Sequence, residues 1–561
     1  MLRWFLIIMG NLQQHFATVI ANGLKRRAVT SPSKWAVRYR MMGSPFPGPW
    51  SFDHHPWLRE VHDAKHPQIV ISKAAQMGFT ETVLNITFYN IDVERRDCLY
   101  VLPSKTPDAT DFSSARFDAA LELSPHLSEL FSDVKNVGHK RAGSANLYIR
   151  GSNSRSGLKS IPVGFIVFDE LNEMDEKNVI LAEERAAGQL RWQIFKLSTP
   201  TLPNKGISKI YDQSTKEHFL FKCPHCSRIT ELVFPECLVI TAEDRLDPKI
   251  RDSYLVCKEC HGVLKHEEKP NFLKNGFWEP TGPRDVDIRG FHIPQLYSSA
   301  SKASPASLAY SYLSSLIDPL EAQELYNSKL GVAYVAPGSQ ITDVELINAQ
   351  LKSNRCCNDI FDNTAPRRVI TMGVDAGTWL HYVVSAWSLP GFGPDLNMNA
   401  TCEVITAGKA REFSELGELM KRWQVMMCVI DAQPETRLAF EFAMAYYGRV
   451  RLCFYNHSIS GRFIADDSNA HRVLIDRTTW LDTSLNRFRN GTVIIPKDIS
   501  AEFQSQLKSP VRRYKEDKNG NPVGYYENIG PDHFAHAYNY SEVALPLAAS
   551  ITTNTDIKEF L

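Results

Sequence analysis

The segment VGFIVFDE, Val163 to Glu170, is an unbroken apolar run closed by two adjacent carboxylates. A strand without polar alternation has to be covered on both faces, so it belongs inside a mainly parallel sheet. Its acids then stand at the strand's carboxyl end, where such sheets bind ligands. Upstream, IVISKAAQMGFTET is a second buried strand running into a small-residue loop, Lys73-Ala74-Ala75-Gln76-Met77-Gly78-Phe79-Thr80. A standard phosphate loop ends Gly-Lys-Ser/Thr: backbone N–H groups wrap the phosphates, Lys neutralises them and the hydroxyl binds Mg²⁺. Here the glycine and hydroxyl are kept, Phe79 stands in the lysine's place, and a lysine has moved to the front as Lys73. Its long side chain still reaches phosphates around which the loop folds back. With Asp169 to bind Mg²⁺ and Glu170 to orient the attacking water, the pair of segments predicts a nucleotide hydrolase.

A β/α rhythm surrounds these segments. QIVIS, DCLYVLP, ANLYIRG, VGFIVFDE and RWQIFKLSTP are apolar runs of strand length separated by helical or polar stretches. They predict an ATPase domain over residues 45–355, after a basic N-terminal segment, residues 1–44. At FLFKCPHC the rhythm breaks, and about 218–268 reads as short strands around a metal. CCNDIFDNTAPRR, 356–368, reads as a linker. RVITMGVDAG, HYVVSAWSL, a helix near 412–424 and VMMCVIDAQ then restart the pattern as a second α/β domain, 369–547, followed by a tail, 548–561.

The 561 residues leave room for such domains, each with its own core. Charged residues make up 22% and hydrophobic ones 43%, as in ordinary globular proteins, and no apolar stretch is long enough for a membrane span. The short apolar start, Leu2 to Met9, lacks a cleavage region, so the expected location is the cytosol. Net charge is zero, yet Arg3, Lys25, Arg26, Arg27, Lys34, Arg38 and Arg40 share the first 50 residues with no acid. That imbalance suits either a polyphosphate surface or a solvated basic helix.

Further residues bear on nucleotide chemistry. Ser198 and Thr199 end a strand where hydroxyls can sense a γ-phosphate and pass the signal on; Ser-Thr-Pro is also an ordinary turn. Arg155 and Lys159, in GSNSRSGLKS, lie where a cation can complete a neighbouring subunit's site or simply be solvated. Phe52, Pro56 and Trp57 are fit to stack on adenine or to fill a core.

Cys223-Pro-His-Cys226 and Cys257-Lys-Glu-Cys260 each set two thiolates on a tight turn, as tetrahedral Zn²⁺ requires. Four filled positions make such a site structural. Redox pairs are the competing reading, and His225 and His261 are adjacent, expectedly exposed, alternatives. The other cysteines are scattered, which favours reduced thiols.

In the second domain Asp375 and Asp431 each end a strand and Asp532 opens a late helix. Three carboxylates converging at one sheet edge can hold two metal ions for phosphodiester cleavage, and the order strand, strand, late helix fits an RNase H-like nuclease. His533 assists or caps the helix, and Asp476 is a weaker candidate. Arg512, Arg513 and Lys515 hold DNA phosphates or belong to a solvated hairpin.

The forward lysine in Lys73 to Glu81, VFDE, LSTP and the later acids together resemble the large terminase subunit of tailed bacteriophages, in the GpA-type family, over roughly residues 45–547. The resemblance implies a P-loop ATPase domain of the ASCE type with a zinc-ribbon-like insertion, joined to an RNase H-like nuclease domain. It implies an ATP-driven motor that moves double-stranded viral DNA into a procapsid, and an endonuclease that cuts concatemers. ATP, Mg²⁺ or Mn²⁺, and Zn²⁺ are then the cofactors, with Asp375, Asp431 and Asp532 as nuclease ligands. The small terminase subunit, the portal protein and a homo-oligomeric ring are the implied partners, in the host cytoplasm and away from membranes. The rival readings are a helicase-like DNA-processing nuclease, which needs a second motor domain, and a non-enzymatic zinc-stabilised DNA-binding protein.

Overall fold

The computed structural model describes residues 29–553 apart from 133, 160, 358, 362–367, 390–398, 457, 458 and 460. Arg3, Lys25, Arg26 and Arg27 lie outside the described residues, as does the end of the chain after Thr553. No helix among the described residues is long and apolar enough to cross a membrane.

The chain divides into two compact units between Tyr334 and Val335. The first is built on an eleven-stranded sheet. Its parallel part comprises β1 (Gln68–Lys73), β2 (Cys98–Leu102), β3 (Ala145–Gly151), β4 (Phe165–Asp169), β5 (Gln193–Ser198), β6 (Glu217–Lys222) and β7 (Ile288–Ile293), in the order β6-β7-β1-β5-β4-β2-β3. All neighbours along this path run parallel. β2 and β4 are buried at every position and β1 at all but its first, as their Ile, Val, Leu and Phe content demands of strands covered on both sides. One strand, β5, separates the phosphate-loop strand β1 from the acid-bearing strand β4, the order of an ASCE-type P-loop domain. Helix α1 (Phe79–Asp92) follows the loop and is buried on nearly every face. Its polar side chains are satisfied locally: Thr87 and Asn90 donate to the carbonyls of Val83 and Ile86, and Asp92 accepts from Trp35 Nε1 at 3.0 Å.

The segment FLFK does not leave the sheet. β6 pairs with β7 and with Phe277–Pro280, and only beyond Lys222 does the chain form the small hairpins around the cysteines. Arg40, expected in a free basic segment, is 3% exposed and bonds Glu81 at 2.7 Å, so that part of the segment is core. Phe52 and Trp57 are core as well, at 4% and 0% exposure, and do not present faces for a base.

The second unit carries an eight-stranded sheet. β8 (Arg368–Asp375), β9 (Leu380–Ser388) and β10 (Thr401–Ala410) form an antiparallel meander, and β11 (Met427–Asp431) and β12 (Val450–Tyr455) continue parallel to β8 on its other side. The order β10-β9-β8-β11-β12 is that of an RNase H-like fold. The division expected at 356–368 falls earlier because Ile341, Leu346 and Ala349, on or next to helix α2 (Asp343–Leu351), pack into this unit's core. The tail expected from 548 also begins later: α3 (His533–Thr553) runs through it, and Ala548 and Ala549 are buried.

Candidate active sites and metal centre

In the first unit, Lys73 leaves the end of β1 and its ammonium is 2.8 Å from Glu170 Oε1 and 3.3 Å from Asp169 Oδ1. Consecutive strand side chains normally face opposite ways. Glu170 escapes this by adopting a left-handed backbone, φ 62°, directly after β4, so both acids reach one ammonium. Burial pulls the Lys73 pKa down, but the two carboxylates overcome it and the net shift is upward, so the side chain stays charged. The other Asp169 oxygen accepts from the Tyr100 hydroxyl at 2.8 Å; burial, with Asp169 beside it, pushes that phenol far up and keeps it a donor.

The loop is braced from three directions. Ala74 donates to the Ile293 carbonyl, Ala75 to that of Ser328 at 2.7 Å, and Trp57 Nε1 donates to the Met77 carbonyl at 3.1 Å. Gly78 has φ 86°, a left-handed conformation that a side chain resists, and it turns the chain into α1. Phe79, in the lysine's usual place, is 1% exposed; the position faces the core, so the charge has to come from elsewhere. Among the described residues, the amides of Gln76 to Thr80 donate to no protein acceptor. Open amides at a helix N-terminus beside a buried ammonium form an anion cradle.

Ser198 Oγ accepts the Asn172 amide at 3.2 Å and donates to the Thr199 carbonyl at 3.3 Å. The Asn172 side chain bonds Thr201 Oγ1 and the Ile207 amide. The segment just past Glu170 is thereby tied to the carboxyl end of β5 and the loop that follows it, a link sequence reasoning missed, as it missed Tyr100. Arg155 and Lys159 are exposed on the turn around Arg155–Leu158, and their side chains make no ion pair among the described residues.

Cys223, Cys226, Cys257 and Cys260 bring their sulfurs within 4.8 Å of one another. The first knuckle closes the hairpin pairing Phe221 with Thr230, and the second the hairpin pairing Val256 with Val263. Ser227 and His261 take left-handed backbones that complete the two turns. Amides of His225 and Glu259 point at the Cys223 and Cys257 sulfurs, both at 3.4 Å. His225 is turned away to the Val263 carbonyl at 2.7 Å, and His261 is exposed.

In the second unit, Asp375 ends β8, 7% exposed, and Asp431 ends the adjacent parallel strand β11. Burial, reinforced by the nearby Asp375 charge, pushes the Asp431 carboxyl up to about 6. Helix α3 crosses β8 closely enough that a Cβ on Gly373 would run into the Ala537 carbonyl and the Ser541 amide, and this approach sets its N-terminus over Asp375. His533 Nδ1 donates to Asp375 Oδ2 at 2.8 Å. Asp532 sits beside it with its carboxylate turned elsewhere, accepting from Asn528 at 2.6 Å and His536 at 3.0 Å. Asp375 and Asp431 are thus together, whereas Asp532 shares the helix end and not their contact. The group that does converge with Asp375, within 4.8 Å, is His381 and His533; His381, across the strand pair from Asp375, was not singled out in the sequence. Asp476 caps the helix Arg477–Arg489 through the Thr479 amide. Arg512 pairs with Asp482 on the helix Arg477–Arg489, Arg513 pairs with Glu527 across its own hairpin, and Lys515 is exposed.

Residues 44–278 match the family model described as phage terminase large subunit gpA, ATPase domain. The fold is also similar to the large terminase of bacteriophage HK97, at 12% identity, with 91% of this chain and 98% of that chain covered and a TM-score of 0.49. Similar too are the large terminase ATPase domain of Thermus phage P74-26, at 13% identity over 50% of this chain and 94% of that one, TM-score 0.30, and a large terminase nuclease of a thermophilic phage, at 14% identity over 35% and 94%, TM-score 0.22. No curated protein matches the sequence.

Proposed function

We propose, from the match of residues 44–278 to the phage terminase large subunit gpA ATPase-domain model, that the chain is a DNA-packaging motor with a metal-dependent endonuclease in its second unit. The observation that carries the motor reading is the buried Lys73 ammonium held by Asp169 and Glu170 beside open loop amides. The donor set fits Mg²⁺-ATP: Lys73 and the amides of Gln76 to Thr80 would receive the phosphates, while the Thr80 hydroxyl and Asp169 would be the oxygen ligands for the ion. Bound Mg²⁺ would neutralise charge on the phosphate oxygens. Glu170, half-exposed and aimed by its left-handed backbone, orients the water. Asn172, Ser198 and Thr199 then carry the change at the phosphate to the end of β5, and Arg155 or Lys159 reaches a neighbouring subunit in a ring. Double-stranded DNA, the small subunit and the portal enter through the family resemblance, as does the host cytoplasm.

For the second unit, Asp375 and Asp431 on adjacent strands fit a divalent ion that activates water for phosphodiester cleavage, and Asp532 extends the acidic edge. The four cysteines fit a structural Zn²⁺. Tetrahedral ligands on ~2.3 Å bonds lie about 3.8 Å apart, and the Cys223 and Cys260 sulfurs are 3.9 Å apart. The helicase reading requires a second motor domain, and the sheet order of the second unit is instead that of a nuclease fold.

Glu170→Gln tests the motor reading. It keeps the fold and ATP binding while turnover drops about 10²- to 10⁴-fold, measured by nucleotide titration and phosphate release. Unchanged turnover, or an unmutated chain that neither binds nor hydrolyses ATP, contradicts it.

A further inference from the structure

Asp375 has different neighbours on its two sides. Toward β11 it meets the carboxylate of Asp431; toward β9 and α3 it meets two imidazoles. His381 is 5% exposed, and its Nδ1 is buried without a hydrogen-bond partner among the described residues. The ring is held in place by packing: His533 stacks on it at 4.6 Å and Phe534 meets it edge-on at 4.9 Å. A buried ring nitrogen with no partner is rare because its desolvation goes uncompensated. Here the ring belongs to a group, with Asp375 and His533, in which one ring nitrogen of each histidine and one carboxylate oxygen lie within 4.8 Å of one another, a spread that small side-chain rotations close around one ion.

We propose that Asp375, His381 and His533 form a nitrogen-rich metal position that takes a transition-metal ion of the Mn²⁺ class in preference to Mg²⁺, with Asp375 shared between it and the oxygen-rich position at Asp431. Imidazole ligands suit transition metals, whereas Mg²⁺ favours oxygen and keeps its waters. The two ion positions of this centre are therefore chemically unequal. A purely supporting role for His533, steering Asp375 through their hydrogen bond, accounts for His533 and leaves the His381 nitrogen unexplained. The proposal rests on the nuclease reading for the purpose of the second position, and its test is read from metal binding, apart from cleavage.

The experiment titrates Mn²⁺ into the full chain, without nucleotide and with the cysteine site kept zinc-loaded, and follows it by electron paramagnetic resonance. Pulsed measurements on the wild type should show hyperfine coupling to imidazole nitrogen. His381→Ala should weaken Mn²⁺ binding about 10-fold or more and remove part of that coupling, while Mg²⁺ binding changes little. Bound Mn²⁺ without nitrogen coupling in the wild type, which needs no variant to fold, overturns the proposal, as does an unchanged Mn²⁺ affinity in a folded His381→Ala. Nitrogen coupling in a chain that cuts no DNA supports this site and sinks the nuclease reading; cleavage without nitrogen coupling does the reverse.

Discussion

At the scale of single residues, Asp431 is the group whose state most depends on conditions. Burial and the neighbouring Asp375 push its carboxyl up to about 6, above the ordinary value of 3.8 it regains on unfolding. The folded chain therefore binds this proton more tightly than the unfolded one, and the contribution to stability is fully present at low pH and is lost as pH rises from about 4 to about 6. In buffer without Mg²⁺ or Mn²⁺, the wild type should lose stability relative to Asp431→Asn across that window, by on the order of 3 kcal/mol. Urea melts of the two proteins between pH 4.5 and 6.5 measure it, and parallel pH profiles would contradict it. Lys73 behaves differently: the two acids raise its pKa above the ordinary lysine value despite burial, so its ammonium stays charged through the same range.

At the scale of elements, the cysteine hairpins and the sheet they grow from should come apart in stability. β6 is paired with β7 and Phe277–Pro280 whether or not the sulfurs hold an ion, while the hairpins beyond Lys222 are short and have the four thiols at their tips. Zinc removal should therefore raise amide hydrogen exchange in 223–230 and 254–264 and leave the 217–218 pairing with β7 protected. Exchange unchanged by chelation would contradict a structural metal.

The strands themselves were legible in the sequence: QIVIS, DCLYVLP, VGFIVFDE and RWQIFKLSTP lie in one sheet because strands buried along nearly their whole length admit little but apolar residues, and ANLYIRG joins them with burial that alternates along its length. FLFK misled because its next residues carry the metal motif, while its own alternating burial marks an outlying sheet strand. Side-chain partners were the least legible. Nothing in a one-dimensional pattern brings Tyr100 to Asp169 or His381 to Asp375, since those contacts depend on which strands lie side by side.

At the scale of the whole chain, two units each close their own core around their own charged centre. The first relies on a buried ammonium between two acids, the second on two strand-end acids beneath the end of a long helix. The unit boundary was misplaced from sequence because the polar, proline-containing stretch 356–368 looked like the natural break, whereas three apolar side chains upstream of it decide where the chain joins the second core. On the proposed function, two separate centres imply that ATP hydrolysis and DNA cleavage can each be lost without the other. The most direct measurement assays ATP turnover and metal-dependent cleavage of duplex DNA side by side in Glu170→Gln and Asp375→Asn. The account predicts a crossed result, the first variant cutting DNA without hydrolysing ATP and the second hydrolysing ATP without cutting DNA. Loss of both activities in either folded variant would contradict it.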